Sequence, residues 1–219
     1  MASWLRLPAV NKIIKTMIWS DFLLLSSSGF LAPIFAIFLT GQIAGATLAT
    51  VGFAATIFWV VKSVVQIPVS WFADRTKGEW DDYAFMVAGS ALGVVVPLLY
   101  YFLASRVWHV YAIEVVSGIA NGMMVPTYLA IFTRHIDKNR ENTEWMLHSN
   151  TVGIGYAAAA AAGGVLAEKF GFRPLFLVVA GILALGTLIL VVIKKDIIES
   201  DRINGLADDG RAVKDNLRR

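Results

Sequence analysis

Trp71-Phe72-Ala73-Asp74-Arg75, with Gly78 three residues on, closes one long apolar run of this chain. Val165-Leu166-Ala167-Glu168-Lys169, with Gly171 two residues on, closes another. Each reads as two apolar residues, an alanine, an acid, a base and then a glycine, and the two acids lie 94 residues apart. The sequence around them is greasy throughout. Of 219 residues, 57% are hydrophobic and 16% charged, with a mean hydropathy of +0.65. A soluble domain carries ~25% charged residues, so this composition reads as an integral membrane protein.

A helix crosses the ~30 Å hydrocarbon core in ~20 apolar residues. Six stretches meet that requirement, at about 17–39, 46–72, 83–104, 108–132, 146–166 and 174–193. Backbone groups in lipid must be satisfied within the segment, so the expected fold is all-α with six transmembrane helices. Ser26-Ser27-Ser28-Gly29 offers small residues for a signal cleavage site. The apolar run continues past it to Leu39, so the first stretch reads as a retained span. The two quoted motifs then follow the second and the fifth spans. Three crossings separate them, so they face opposite sides of the membrane. A local pattern that recurs with inverted orientation after the second helix of each triplet predicts a 3+3 inverted repeat.

Orientation follows from lysine and arginine placement. One side carries Arg6, Lys12, Lys15, Arg75, Lys77, Arg134, Lys138, Arg140, Lys194, Lys195, Arg202, Arg211, Lys214, Arg218 and Arg219. The other carries Arg106, Lys169 and Arg173, and Lys62 lies within a span. This asymmetry predicts both termini in the cytoplasm of a multi-pass protein of the plasma membrane. It also accounts for the net charge of +3 as topology, so no nucleic-acid partner is expected. Residues 1–16 mix apolar and basic side chains and read as an interfacial segment before the transmembrane domain, 17–193. Residues 194–219 read as a polar, solvated, partly disordered cytoplasmic tail. Trp71, Trp80, Tyr83, Trp108, Tyr111 and Trp145 fall near span ends and read as interface anchors.

The absence of cysteine removes disulfides, thiolate metal sites and cysteine nucleophiles together. His109, His135 and His148 lie at span ends or in a loop, too far apart in sequence for an i, i+4 metal pair, and read as interfacial. There is no HExxH and no GxxxxGK[ST], so no metal, nucleotide cofactor or enzyme activity is expected.

Three motifs resemble the major facilitator superfamily. Ser70-Trp71-Phe72-Ala73-Asp74-Arg75-Thr76-Lys77-Gly78 is similar to the family's loop G-x-L-a-D-R-x-G-R-K, with Ala-Asp-Arg kept and the first glycine replaced by Ser70. Glu114-Val115-Val116-Ser117-Gly118 stands where the fourth helix of the family reads R-x-x-Q-G, with an acid in place of the arginine. Gly155, Ala159-Ala160 and Gly163-Gly164 stand where the fifth helix reads G-x-x-x-G-P-x-x-G-G, without the proline. The resemblance implies one six-helix half of a twelve-helix architecture. It implies that the first, second, fourth and fifth helices approach a central cavity, with the third and sixth supporting them from outside. It also implies a cytoplasmic gating role for Asp74 and Arg75.

A charge at mid-bilayer costs ~2.5–3.5 kcal/mol, so each needs a reason. Three are present: Asp21, Lys62 and Glu114. At 1.5 Å per residue, Asp21 lies ~9 Å, Lys62 ~18 Å and Glu114 ~30 Å from the cytoplasmic end. Lys62 is within reach of either carboxylate as an ion-pair partner. Lys62, Gln66 and Ser70 share one helix face, as do Glu114, Gly118 and Asn121. Substrate or coupling-ion candidates are therefore Asp21, Lys62, Gln66, Glu114, Asn121 and Asn150, each equally readable as an interhelical contact. Gly118, Gly122, Gly155, Gly163 and Gly164, with Gly89 and Gly93, read as helix-packing positions. Pro33, Pro97 and Pro126 read as bends.

These features predict a secondary transporter that moves a small solute by alternating access. Its partners would be the lipid bilayer, a small-molecule substrate and a second copy of itself or a paralogous six-helix half. The competing readings are a non-transporting membrane scaffold and half of a heteromeric carrier.

Overall fold

Seven helices account for nearly all of residues 10–75 and 78–199, the residues described by the computed structural model. They are α1 (Lys12–Leu31), α2 (Phe35–Gln42), α3 (Leu48–Ala73), α4 (Trp80–Leu103), α5 (Val107–His135), α6 (Glu141–Phe170) and α7 (Phe172–Val192). Of the expected interfacial segment 1–16 and tail 194–219, residues 1–9 and those beyond Glu199 lie outside the described residues, as do Thr76 and Lys77.

Local chemistry sets the helix ends. Asn11 caps α1 by accepting from the Ile14 N–H at 2.9 Å. Thr47 and Thr50 form a reciprocal capping box at the start of α3. The helices α3 to α7 are each long and apolar enough to cross a membrane. The first stretch differs from the continuous span expected over 17–39: it is a broken pair, α1 and α2, bent by 46°. Pro33 sits in the break. It has no N–H to continue the ladder and its ring crowds the preceding turn, so α1 stops at Leu31.

Packing follows the small residues. Helix α1 lies against α6 and α7, α5 lies against α3 and α4, and α4 lies against α7. Exchanging the first three spans with the last three maps this set of contacts onto itself. That is the packing expected of two inverted triplets. The two sequence motifs end at matching local structures. Gly78 follows α3 with φ +102°, and Gly171 follows α6 with φ +79°, a backbone region that disfavours any β-carbon.

Two apolar clusters hold the ends of the bundle. Ile14, Met17, Met86, Ile131, Phe132 and Leu190 close one end. Phe38, Leu39, Tyr100, Ile113 and Phe176 close the other, where Phe38 and Tyr100 each pack against the Phe176 ring. Between them the interior is less filled, and polar side chains occupy it. Outward, α3 presents Phe53, Trp59, Val60, Val64 and Ile67 as an exposed apolar face.

Candidate functional site: a cavity inside the bundle

The interior holds a cavity of about 620 Å³, within the range typical of small-molecule sites. Asp21 of α1, Lys62 of α3 and Glu114 and Asn121 of α5 all line it. Charges widely separated in sequence therefore converge on one space. Close backbone approaches produce this convergence. A β-carbon on Gly118 would lie 2.9 Å from the Phe58 carbonyl oxygen, and one on Gly122 would lie 2.9 Å from that of Lys62. These two glycines bring α3 onto α5 and set Lys62 level with the middle of α5. Gly155 and Gly163 do the same for α6 against α1, where an added β-carbon would meet Ser26 and the Phe30 carbonyl.

The two carboxylates are both partnered, and neither partner is Lys62. Glu114 Oε1 accepts a 2.5 Å hydrogen bond from the Tyr100 hydroxyl of α4. Asp21 Oδ2 lies 2.6 Å from His148 Nε2 of α6, and both side chains are largely buried. Beside them the Tyr128 hydroxyl donates to the Met17 carbonyl at 3.0 Å, and the Phe132 and Trp145 rings flank His148. Lys62 forms no ion pair among the described residues. Its Nζ sits 4.6 Å over the Trp59 ring, one turn away on its own helix. The expected pairing of Lys62 with Asp21 or Glu114 is thus corrected. Each acid is reached first by a shorter-range donor from an adjacent helix.

Other expectations also need correction. Asn150 is exposed and does not line the cavity; it stands two positions after His148, which turns it to the other side of α6. Gln66 lies one turn beyond Lys62, outside the cavity lining. Gly164 and Gly93 have open space where a β-carbon would go, so neither is a packing contact. Gly164 is rotated ~100° from Gly163, off the face that meets α1. Tyr83 is buried and Trp145 packs on Phe132, so neither reads simply as an interface anchor. The third and sixth spans also contribute wall, through Ser90 and Tyr100 of α4 and Val179 and Leu183 of α7.

His148, Tyr100 and Tyr128 are the site residues that sequence reading missed. A helical-face signal marks two of them. Tyr128 stands at i+14 from Glu114 and i+7 from Asn121, and His148 stands seven before Gly155. The Tyr100 contact depends on the α4–α5 crossing, which leaves no pattern in the sequence.

The loop motif caps the opposite end of α3. The Asp74 N–H donates to the Ser70 carbonyl at 2.9 Å, and the Arg75 guanidinium lies 3.3 Å over the Trp71 ring. Nearby, Arg134 pairs with Asp82 and approaches Glu79 at 4.0 Å, while His135 Nε2 lies 3.6 Å from Glu79. Lys12 pairs with Asp196 at 2.8 Å, and Lys194 lies 4.9 Å over Trp80. Arg106, Lys169 and Arg173 fall at the other end of the bundle, around the α2–α3, α4–α5 and α6–α7 turns.

A largely apolar cavity that gathers charged side chains between two inverted triplets of membrane-length helices fits the membrane-transporter class. The Major Facilitator Superfamily model matches residues 17–217, and the chain belongs to that family. It is similar to the multidrug resistance protein MdtG of Serratia proteamaculans (strain 568), at 31% identity over 100 residues, 45% of this chain and 24% of that protein. It is also similar to an uncharacterized MFS-type transporter of Mycobacterium tuberculosis, at 29% identity over 171 residues, 72% of this chain and 37% of that protein. Among solved structures, the POT family transporter PepTSo superposes with a TM-score of 0.72 at 16% identity, over 86% of this chain and 38% of that one. At that identity the match establishes the fold alone. The chain spans well under half the length of these relatives. Members of this family are transporters, not enzymes.

Proposed function

We propose that the chain is one six-helix half of a secondary transporter that moves a small solute by alternating access. One observation carries this reading. The intramembrane charges of α1, α3 and α5 share a single cavity inside a bundle of this family's fold. An intramembrane ionisable residue is expensive, and three facing one cavity favour a solute pathway over incidental packing. Lys62, Glu114, Asp21 and Asn121 are the residues proposed to meet substrate or a coupling proton, with Asp74 and Arg75 as the gate at the cytoplasmic end. The gathering of Arg75, Arg134, Lys12 and Lys194 at one end supports both termini inside, in the plasma membrane.

The second wall of the pathway is proposed to come from another six-helix bundle in the same orientation, a second copy being the simplest source. Parallel halves of this fold are related by an axis along the membrane normal, so no inversion of topology is needed. Counting photobleaching steps of the labelled chain in bilayers at low protein-to-lipid ratio tests this. Two-step traces support the paired bundle. Single-step traces across a range of densities contradict a self-paired carrier.

A further inference from the structure

We infer that the cavity takes an organic anion with an apolar body, its charged group held at Lys62. The inference rests on the transporter reading and names its substrate class. The charged groups of the cavity stand in three tiers along the helices. Glu114 with Tyr100 forms one, Lys62 with Asn121 the middle one, and Asp21 with His148 and Tyr128 the third, with Ser117 between the first two. The close approach of Gly122 to the Lys62 carbonyl fixes the level of the middle tier. From Gly122, Glu114 is eight residues away and Tyr128 six in the other direction, or ~12 Å and ~9 Å along the axis.

The charges in these tiers are not equally provided for. Each carboxylate already receives a donor from the protein, at 2.5 and 2.6 Å. Among the described residues, Lys62 receives only the face of Trp59. On the same cavity wall the Ser117 hydroxyl makes no hydrogen bond among the described residues, whereas the Asn121 amide is already committed to the Ser117 carbonyl at 3.1 Å. The cavity thus offers an uncompensated ammonium in the middle tier and a free hydroxyl donor between that tier and Glu114, which together suit a carboxylate or sulfonate. Lys62 is half-buried on the cavity wall, and an ammonium without a counter-anion there favours a ligand that brings one. Most of the remaining wall, with Leu24, Leu31, Phe35, Val96, Val125 and Leu129, is apolar and suits a hydrocarbon or aromatic body.

The test compares naphthalenesulfonate, its neutral sulfonamide and a naphthyl trimethylammonium cation as ligands. Binding is measured by calorimetry to the chain in nanodiscs of zwitterionic lipid, with empty discs subtracted. The sulfonate is expected to bind about tenfold or more tighter than the other two, the difference a charge-assisted contact supplies. Lys62→Gln is expected to abolish that preference and Lys62→Arg to keep it. Equal or tighter binding of the cation or the sulfonamide overturns the inference, and so does an undiminished preference in Lys62→Gln. The three-ligand comparison on the unaltered chain decides the matter even if Lys62→Gln fails to fold. Flux in proteoliposomes separates the two levels of the account. Sulfonate binding without flux upholds the anion site and contradicts transport. Flux of the cation alone upholds transport and overturns the anion site.

Discussion

Replacing Gly122 by alanine tests whether backbone contact between α3 and α5 places Lys62 in the cavity. The added β-carbon would stand 2.8 Å from Val65 Cβ and 2.9 Å from the Lys62 carbonyl oxygen. Carbon atoms pack best at ~3.5–4.0 Å, so α3 must retreat from α5 by close to 1 Å. Neither neighbour is the loose end of a flexible side chain. One is a β-branched stem and the other is backbone. Overpacking of this kind costs ~1–3 kcal/mol. Against it stands the gain of ~1 kcal/mol when glycine becomes alanine within a helix. Gly93→Ala isolates that gain, because nothing lies within 4 Å of its added carbon. The difference between the two variants is therefore the clash alone, ~1–3 kcal/mol with Gly122→Ala the less stable. Equilibrium unfolding in mixed micelles of increasing sodium dodecyl sulfate, followed by far-ultraviolet circular dichroism, measures it. Equal stabilities, within about 0.5 kcal/mol, refute the close approach.

The buried pairs give further tests in the same assay. Tyr100→Phe leaves Glu114 without its donor and is expected to cost ~1–3 kcal/mol; the cost shrinks when Glu114→Gln is added. Asp21→Ala and His148→Ala are each expected to destabilise by a few kcal/mol, because each leaves a buried partner unpaired. Their double mutant is expected to fall short of the sum by ~0.5–3 kcal/mol, and strict additivity contradicts the contact. Asn150→Ala and Gln66→Ala lie outside the cavity and are expected to leave ligand binding unchanged and stability within about 0.5 kcal/mol of the original chain.

The sequence shows the bundle more fully than it shows the site. Apolar run length and the recurrence of Ala-acid-base-Gly at Asp74 and Glu168 reveal the helices and their inverted pairing, because both depend on local composition. The presence of charges in α1, α3 and α5 is equally visible, since a mid-span charge stands out against lipid-compatible residues. The pairing of those charges is not visible. It depends on which helix faces cross, and only three-dimensional packing sets that. Lys62 appears in sequence as the natural partner of an acid, yet Tyr100 and His148 reach the acids first. His148 is masked for a second reason. Imidazole near a span end is ordinary, and only its register with Gly155 and Gly163 marks the face turned toward α1. Asn150, two residues further on, carries a more conspicuous polar side chain and faces away.

The central claim is that the cavity opens alternately to the two sides of the membrane. The chain contains no cysteine, so single cysteines report without background. Ser117→Cys places a thiol on the cavity wall, and Val64→Cys places one on the outward face of α3, where Val64 is 61% exposed. The measurement is labelling of each by a charged, membrane-impermeant methanethiosulfonate, in right-side-out and in inverted vesicles. The account predicts that Ser117→Cys reacts from both sides and Val64→Cys from neither. Reaction of Ser117→Cys from one side only, or from neither, contradicts it.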